Sequence, residues 1–143
     1  MADVSEAVGQ QAIEIALELL QSIPGVEYTT QPGELEIKGS PGGFDVTLID
    51  DGREATISTD VWHDQFDDPQ DAAWYAIWLM SERMRIKVSY RGRHVVRSTP
   101  ESLTPEGDWI PGTTFGLLFP FFGKQRIEYL SNSVIAPEHL PHE

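Results

Sequence analysis

The spacing of hydrophobic positions changes several times along this chain. Val4, Val8, Ala12, Ile13, Ile15, Ala16, Leu17, Leu19 and Leu20 fall, at helical spacing, in an arc of roughly 220°, wider than the ~100° stripe of a surface helix. Gln10, Glu14, Glu18 and Gln21 fill the rest of the wheel. Asp3 with Glu6 is a capping-box start and Pro24-Gly25 a stop, so the pattern predicts a helix over residues 4–22, covered on two sides. The period then drops to two. Leu35 and Ile37 alternate with Glu34, Glu36 and Lys38, and Val46 and Leu48 with Asp45 and Thr47. Strands are predicted near 26–30, 34–38, 44–49 and 54–59, each burying one face. Gln31-Pro32-Gly33 and Asp50-Asp51-Gly52 supply turns, which makes this stretch an antiparallel meander. Gly39-Ser40-Pro41-Gly42-Gly43 lacks the strand, the following helix and the Lys-Ser/Thr pair of a phosphate loop, and is predicted to be an ordinary turn.

A second helical pattern starts at Asp68, a cap followed by Pro69 and Asp71, and is predicted to end near Arg83. Ala72, Ala73, Ala76, Ile77, Met80 and Met84 form a small-residue face for a sheet; Trp74 and Trp78 project to its side, and Tyr75 and Leu79 another way. Such a helix is apolar nearly all round, more than one sheet can cover. Strands over 85–90 and 94–98, joined by Arg91-Gly92-Arg93, make a hairpin with Ile86, Val88 and Tyr90 on one face and Arg85, Lys87 and Ser89 on the other. Residues 99–113, with three prolines and two glycines, are predicted as a long loop pinned by Trp109. A last hairpin joins 114–119 to 125–130 through Phe121-Phe122-Gly123-Lys124, Pro120 marking an edge or bulge, and a loose tail follows from about 131. The expected fold is a single α+β domain over residues 1–143, two helices packed on an antiparallel sheet of about seven or eight strands in the order α-ββββ-α-ββ-ββ.

Composition narrows the class. At 143 residues and 40% hydrophobic, the chain can bury one core. The absence of cysteine excludes disulfides, thiolate catalysis and Cys-ligated metal sites. The apolar runs 72–80 and 115–122 fall short of the ~18 residues of a bilayer span. The N-terminus lacks the basic and apolar regions of a signal peptide, so a cytoplasmic location is expected.

Charge is polarised. Residues 1–80 carry sixteen acids and two bases, residues 81–143 seven acids and eight bases, and the net charge is -13. Arg83, Arg85, Lys87, Arg91, Arg93 and Arg97 lie in fifteen positions without an acid. The expected role of this ribbon is to neutralise the chain's own acids, within one molecule or across a dimer; docking of an anion or a nucleic-acid backbone is the alternative. An overall excess of acids argues against nucleic acid and anionic membranes as partners.

Asp60, His63, Asp64 and Asp67 offer an imidazole and three carboxylates, a set acceptable to several divalent metals. Their spacing matches no recognised site, and an acidic stretch before a helix is favoured by the helix dipole alone. No metal or other cofactor is therefore expected. The chain has no Gly-x-Ser-x-Gly, His-Glu-x-x-His, Gly-x-Gly-x-x-Gly or Walker-type motif. His139 and His142, in the expected tail, are given no role. Over about residues 1–98 the order helix, strands, helix, strand pair resembles type III secretion chaperones, a resemblance of element order without a shared motif; it implies a dimeric binder of partner chains.

The expectation from sequence is a non-catalytic interaction or adaptor module that forms a homodimer and binds another protein. Its expected contact residues are Trp74, Trp78, Arg85, Lys87, Arg91, Arg97 and Trp109, with Trp62 between core and interface. The rival is a small enzyme with a pocket between helix 68–83 and loop 99–113. Convergent polar groups there would favour the enzyme, and an exposed aromatic patch the adaptor.

Overall fold

Alternation in the strands and small residues in the second helix lead to two sheets sharing one core. The computed structural model describes residues 11–116 and 124–141. Its elements are α1 (Gln11–Gln21), β1 (Tyr28–Gln31), β2 (Glu34–Ile37), β3 (Val46–Asp50), β4 (Ala55–Ser58), β5 (His63–Phe66), α2 (Pro69–Trp78), β6 (Met84–Arg91), β7 (His94–Leu103), β8 (Trp109–Pro111), β9 (Phe115–Gly116) and β10 (Gln125–Leu130), then a 3-10 turn at Pro137–His139. The predicted first-helix start, with Asp3 and Glu6, and the last turn, with Pro120 and Phe121-Phe122-Gly123, lie outside the described residues.

The class is α+β, as expected. Among the described residues the strands number ten and form two antiparallel sheets, not one sheet of seven or eight: β1-β2-β3-β4-β5, and β10-β6-β7-β8 with β9 also paired to β7. Two strands fall where no strand was expected. β5 is His63–Phe66, inside the acidic stretch, and pairs with β4, Ile57 opposite Asp64 and Ala55 opposite Phe66. It carries too few apolar residues to show a period of two, and edge pairing to β4 supplies what its sequence lacks. The predicted loop 99–113 is mostly strand: β7 runs to Leu103, and β8 returns beside it. Pro100 is tolerated within β7 because its carbonyl accepts from Gly112 N–H at 2.7 Å on the β8 side; its missing N–H lies on that side too and costs β6 nothing.

Leu35, Leu48 and Ile57 line up across β2, β3 and β4 and are fully buried, as are Ile37 and Val46. α1 lies on β3, and α2 on β3, β4 and β5, with the helices in contact. Ala72, Ala73 and Ala76 are wholly buried, which lets α2 lie close to the sheet. Asp68 caps α2, accepting from Gln70 N–H at 2.8 Å. Met84, Ile86 and Val88 of β6 complete the same core from the second sheet. Surplus apolar surface on α2 is thus covered by a second layer. No helix of the described residues is long and apolar enough to cross a membrane.

The segment from Ser131 is no loose tail. Asn132, Ile135 and Leu140 are buried. Val134 and Ile135 N–H both donate to Met80 O at 3.0 Å, and Asn132 Nδ2 to Leu79 O at 3.2 Å. These contacts also shorten α2, which ends at Trp78 and not near Arg83. Its next carbonyls are taken by this segment, while Ser81 Oγ turns back to Trp78 O at 2.8 Å. The other side of Asn132 faces the glycine-rich turn: Oδ1 accepts from Ser40 and Phe44 N–H, both at 3.1 Å, and Nδ2 donates to Phe44 O at 2.9 Å. A Cβ at Gly43 would overlap Asn132 Oδ1, and one at Gly39 would overlap Phe44 O.

Truncating Asn132→Ala leaves buried backbone groups of Phe44 and Leu79 without partners. An expected loss of about 3 kcal/mol is read as a lowered urea midpoint with unchanged m-value. Asn132→Asp is expected to lose a similar amount, because a carboxylate would face two carbonyl oxygens where the amide donated.

Candidate functional site

α2 and the edge of the second sheet enclose a groove of about 460 Å³. The helix presents Trp74, Tyr75 and Trp78 to it; β7 contributes Pro100 and Ser102; β8 contributes Ile110 and Pro111. The groove lies where the rival reading put its pocket, so its lining decides what it can do. Helical spacing places Trp74 and Trp78 one turn apart, and strand alternation turns Pro100 and Ser102 toward α2. Both tryptophans are half-buried, while Ile110 is 53% exposed at the rim.

The walls are fixed by the chain itself. Trp78 Nε1 donates to Pro141 O at 2.9 Å, so the last described residue anchors that indole. Tyr75 stacks between Trp62 and Phe66, with ring centroids at 5.7 and 5.1 Å. Trp62 is a core residue: it is 2% exposed and donates from Nε1 to Thr113 O at 2.9 Å, tying the first sheet to the segment between β8 and β9. Asp71 and Ser102 are the polar side chains of the lining besides the Tyr75 phenol. Among the described residues no His, Lys or carboxylate is hydrogen-bonded to Ser102, the pairing by which a base activates a hydroxyl. Burial, reinforced by the Asp64 carboxylate, pushes the Tyr75 phenol far above its ordinary range. It therefore stays neutral and cannot serve as a base near pH 7.

The acidic stretch does not converge. In β5, His63 and Gln65 face one way and Asp64 and Phe66 the other, because successive strand side chains alternate. His63 packs on Phe115 at 4.6 Å between ring centroids; Asp64 Oδ1 accepts from Gln65 N–H; Asp60 and Asp67 are exposed. Among the described residues no three His, Asp or Glu side chains are placed to hold a metal ion. A strand in place of the expected loop is what separates them.

The ribbon divides into parts. Arg85 Nε donates to Glu101 Oε1 at 2.7 Å, and its guanidinium lies 4.0 Å from the Trp109 ring centre and 4.1 Å from that of Tyr129. Arg85 and Trp109, both expected contact residues, are thus engaged with each other. Lys87 and Arg97 lie farther along the same face, and Arg91 is exposed at the hairpin end of β6. Sequence reasoning missed Ile110, Pro111 and Tyr129 as surface residues. Only the loop assignment stood in the way of the first two; Tyr129 is made prominent by its neighbours across the strands.

The raised Tyr75 pKa has a signed consequence. Below about pH 10 both folded and unfolded chains keep the proton; above it the unfolded chain releases it and the folded one does not, so stability falls as pH rises. Tyr75→Phe should remove that alkaline component from the pH dependence of the urea midpoint. Asp64→Asn should bring the phenol's ionisation, followed at 295 nm, to lower pH.

Comparison with protein-family models, with curated proteins and with solved structures finds no match for this chain. Its function is to be read from the side chains themselves.

Proposed function

We propose that this protein is a non-catalytic interaction module that takes an extended apolar segment of a partner protein into the groove between α2 and β7–β8. The observation that carries this is the lining: Trp74, Tyr75, Trp78, Pro100, Ile110 and Pro111 form a continuous apolar wall, and no nucleophile and base meet in it. Aromatic-lined grooves of this kind bind extended peptides by burying a few side chains. Trp78, held by Pro141, is ordered before binding, which reduces the entropy lost on association. Asp71, exposed at the groove and first-turn acid of α2, favours a Lys or Arg beside the apolar residues of the partner.

On an array of ten-residue peptides, the expected binders carry apolar or proline residues next to a single basic one. Trp74→Ala and Ile110→Asp should each weaken the best binder about tenfold or more, as truncating an anchor residue does, and Ile110→Asp, at the exposed rim, should do so with an unchanged thermal midpoint. Peptides bound equally well by both variants would overturn the assignment of the groove.

Self-association belongs to the same proposal, and the second sheet supports it better than the helices do. Among the described residues the exposed large hydrophobics lie outside both helices, and β10, which carries Ile127 (45%) and Tyr129 (51%), is an edge strand. Arg126 and Glu128 flank Ile127 and pair in an exposed contact of 3.2 Å. Antiparallel pairing of two copies about Ile127 would set Arg126 of each opposite Glu128 of the other, a self-complementary twofold edge. Light scattering after size exclusion should report about twice the 16.0 kDa of one chain. Ile127→Lys, which places like charges at the dyad, should return it to one chain mass. A wild type of 16.0 kDa across the micromolar range would overturn the dimer while leaving the groove untouched.

A further inference from the structure

The face of the second sheet turned away from α2 carries another concavity, of about 360 Å³, built from neighbouring strands. Register fixes its floor. Ser89 of β6 lies opposite Arg97 of β7, and Lys87 opposite Thr99, so two cations stand diagonally across two hydroxyls on one face. Ile127 of β10, opposite Ser89, and Pro111 close the sides. Like charges at diagonal positions repel unless an anion lies between them. Among the described residues neither Lys87 nor Arg97 has an ion-pair partner: Glu101, the acid in the lining, is engaged by Arg85, and Glu128 by Arg126.

The hydroxyls reinforce the cations. Ser89 Oγ accepts from Gln125 Nε2 at 3.1 Å, which leaves its own O–H to donate. Thr99 and Thr114 hydroxyls are 2.8 Å apart; whichever donates, the other's proton is spare. The floor therefore offers two hydroxyl protons and two cationic heads, with its one carboxylate already occupied. Such a donor set suits a compact oxyanion, whose bonds to charged donors are the strong ones.

We propose that this groove binds the terminal oxyanion of a small ligand, phosphate or carboxylate, held by Lys87 and Arg97 over the hydroxyls of Ser89 and the Thr99–Thr114 pair. Its floor lies on the face of the sheet opposite the aromatic groove, and Pro111 borders both. A nucleic-acid backbone would need such contacts repeated along a surface, and here Arg85 is committed to Glu101 and the rings on either side of it.

Calorimetric titration of the full chain at low ionic strength, with inorganic phosphate in one arm and succinate in the other, tests the site. Saturable binding of at least one is expected, and the stronger arm identifies phosphate or carboxylate as the preferred group. Lys87→Gln and Arg97→Gln should each weaken it about tenfold, the value of one charge-assisted hydrogen bond. Added salt should weaken it further. Arg93→Gln, at the exposed hairpin turn, should leave it unchanged. Absence of saturation by either anion up to about 10 mM, or equal weakening by Arg93→Gln, would overturn the proposal.

Discussion

The buried carboxamide of Asn132 is the contact on which the arrangement of this molecule depends. It joins three segments that no strand pairing connects: the glycine-rich turn after β2, the carbonyls beyond the end of α2, and the segment that follows β10. An amide suits the position because it donates and accepts within one rigid plane, meeting Phe44 N–H with its oxygen and Phe44 and Leu79 carbonyls with its nitrogen. Buried at 1% exposure, it has no water to fall back on. Gly39 and Gly43 are part of the same device, since only a residue without Cβ lets the backbone close this tightly.

From that anchor the rest of the C-terminal segment is placed. Ile135 and Leu140 enter the core, and Pro141 reaches the indole of Trp78. The groove between α2 and β7–β8 inherits its shape from this: one wall is held by Pro141, another by the ring contacts of Tyr75 with Trp62 and Phe66, and the third by a strand that continues through Pro100. Groove and core are thus built from the same aromatic residues, and the rings that face the groove are fixed from behind.

Electrostatics divides the second sheet by face. Toward α2, β6 presents Met84, Ile86 and Val88, with the Arg126–Glu128 pair of β10 at the margin of the same face. Away from α2 it carries the cations that stand out in an otherwise acidic chain, and they are not equivalent. Arg85 lies between two rings and is paired with Glu101. Lys87 and Arg97, one and two residue pairs along, have no such company, and the concavity around them gives the sheet a second distinct surface.

Much of this was legible in the chain. The α+β class, the four-strand meander, the Asp68 cap with Pro69, the β6–β7 hairpin and the span of β10 follow from local signals: a period of two, a capping side chain, glycine at a turn. The surplus apolar surface of α2 was also readable, but that a second sheet covers it was not. What tertiary structure alone decided are the features without local periodicity. β5 exists because β4 offers an edge to His63–Phe66, and that pairing separates the imidazole from the carboxylate beside it. Pro100 sits in a strand because its missing N–H falls away from β6. The segment after Ser131 is ordered by partners some ninety and fifty residues earlier in the chain. Sequence determined which residues prefer to be buried or extended; contacts between distant segments determined which hydrogen-bonding groups would be left unpaired, and so where the chain had to go.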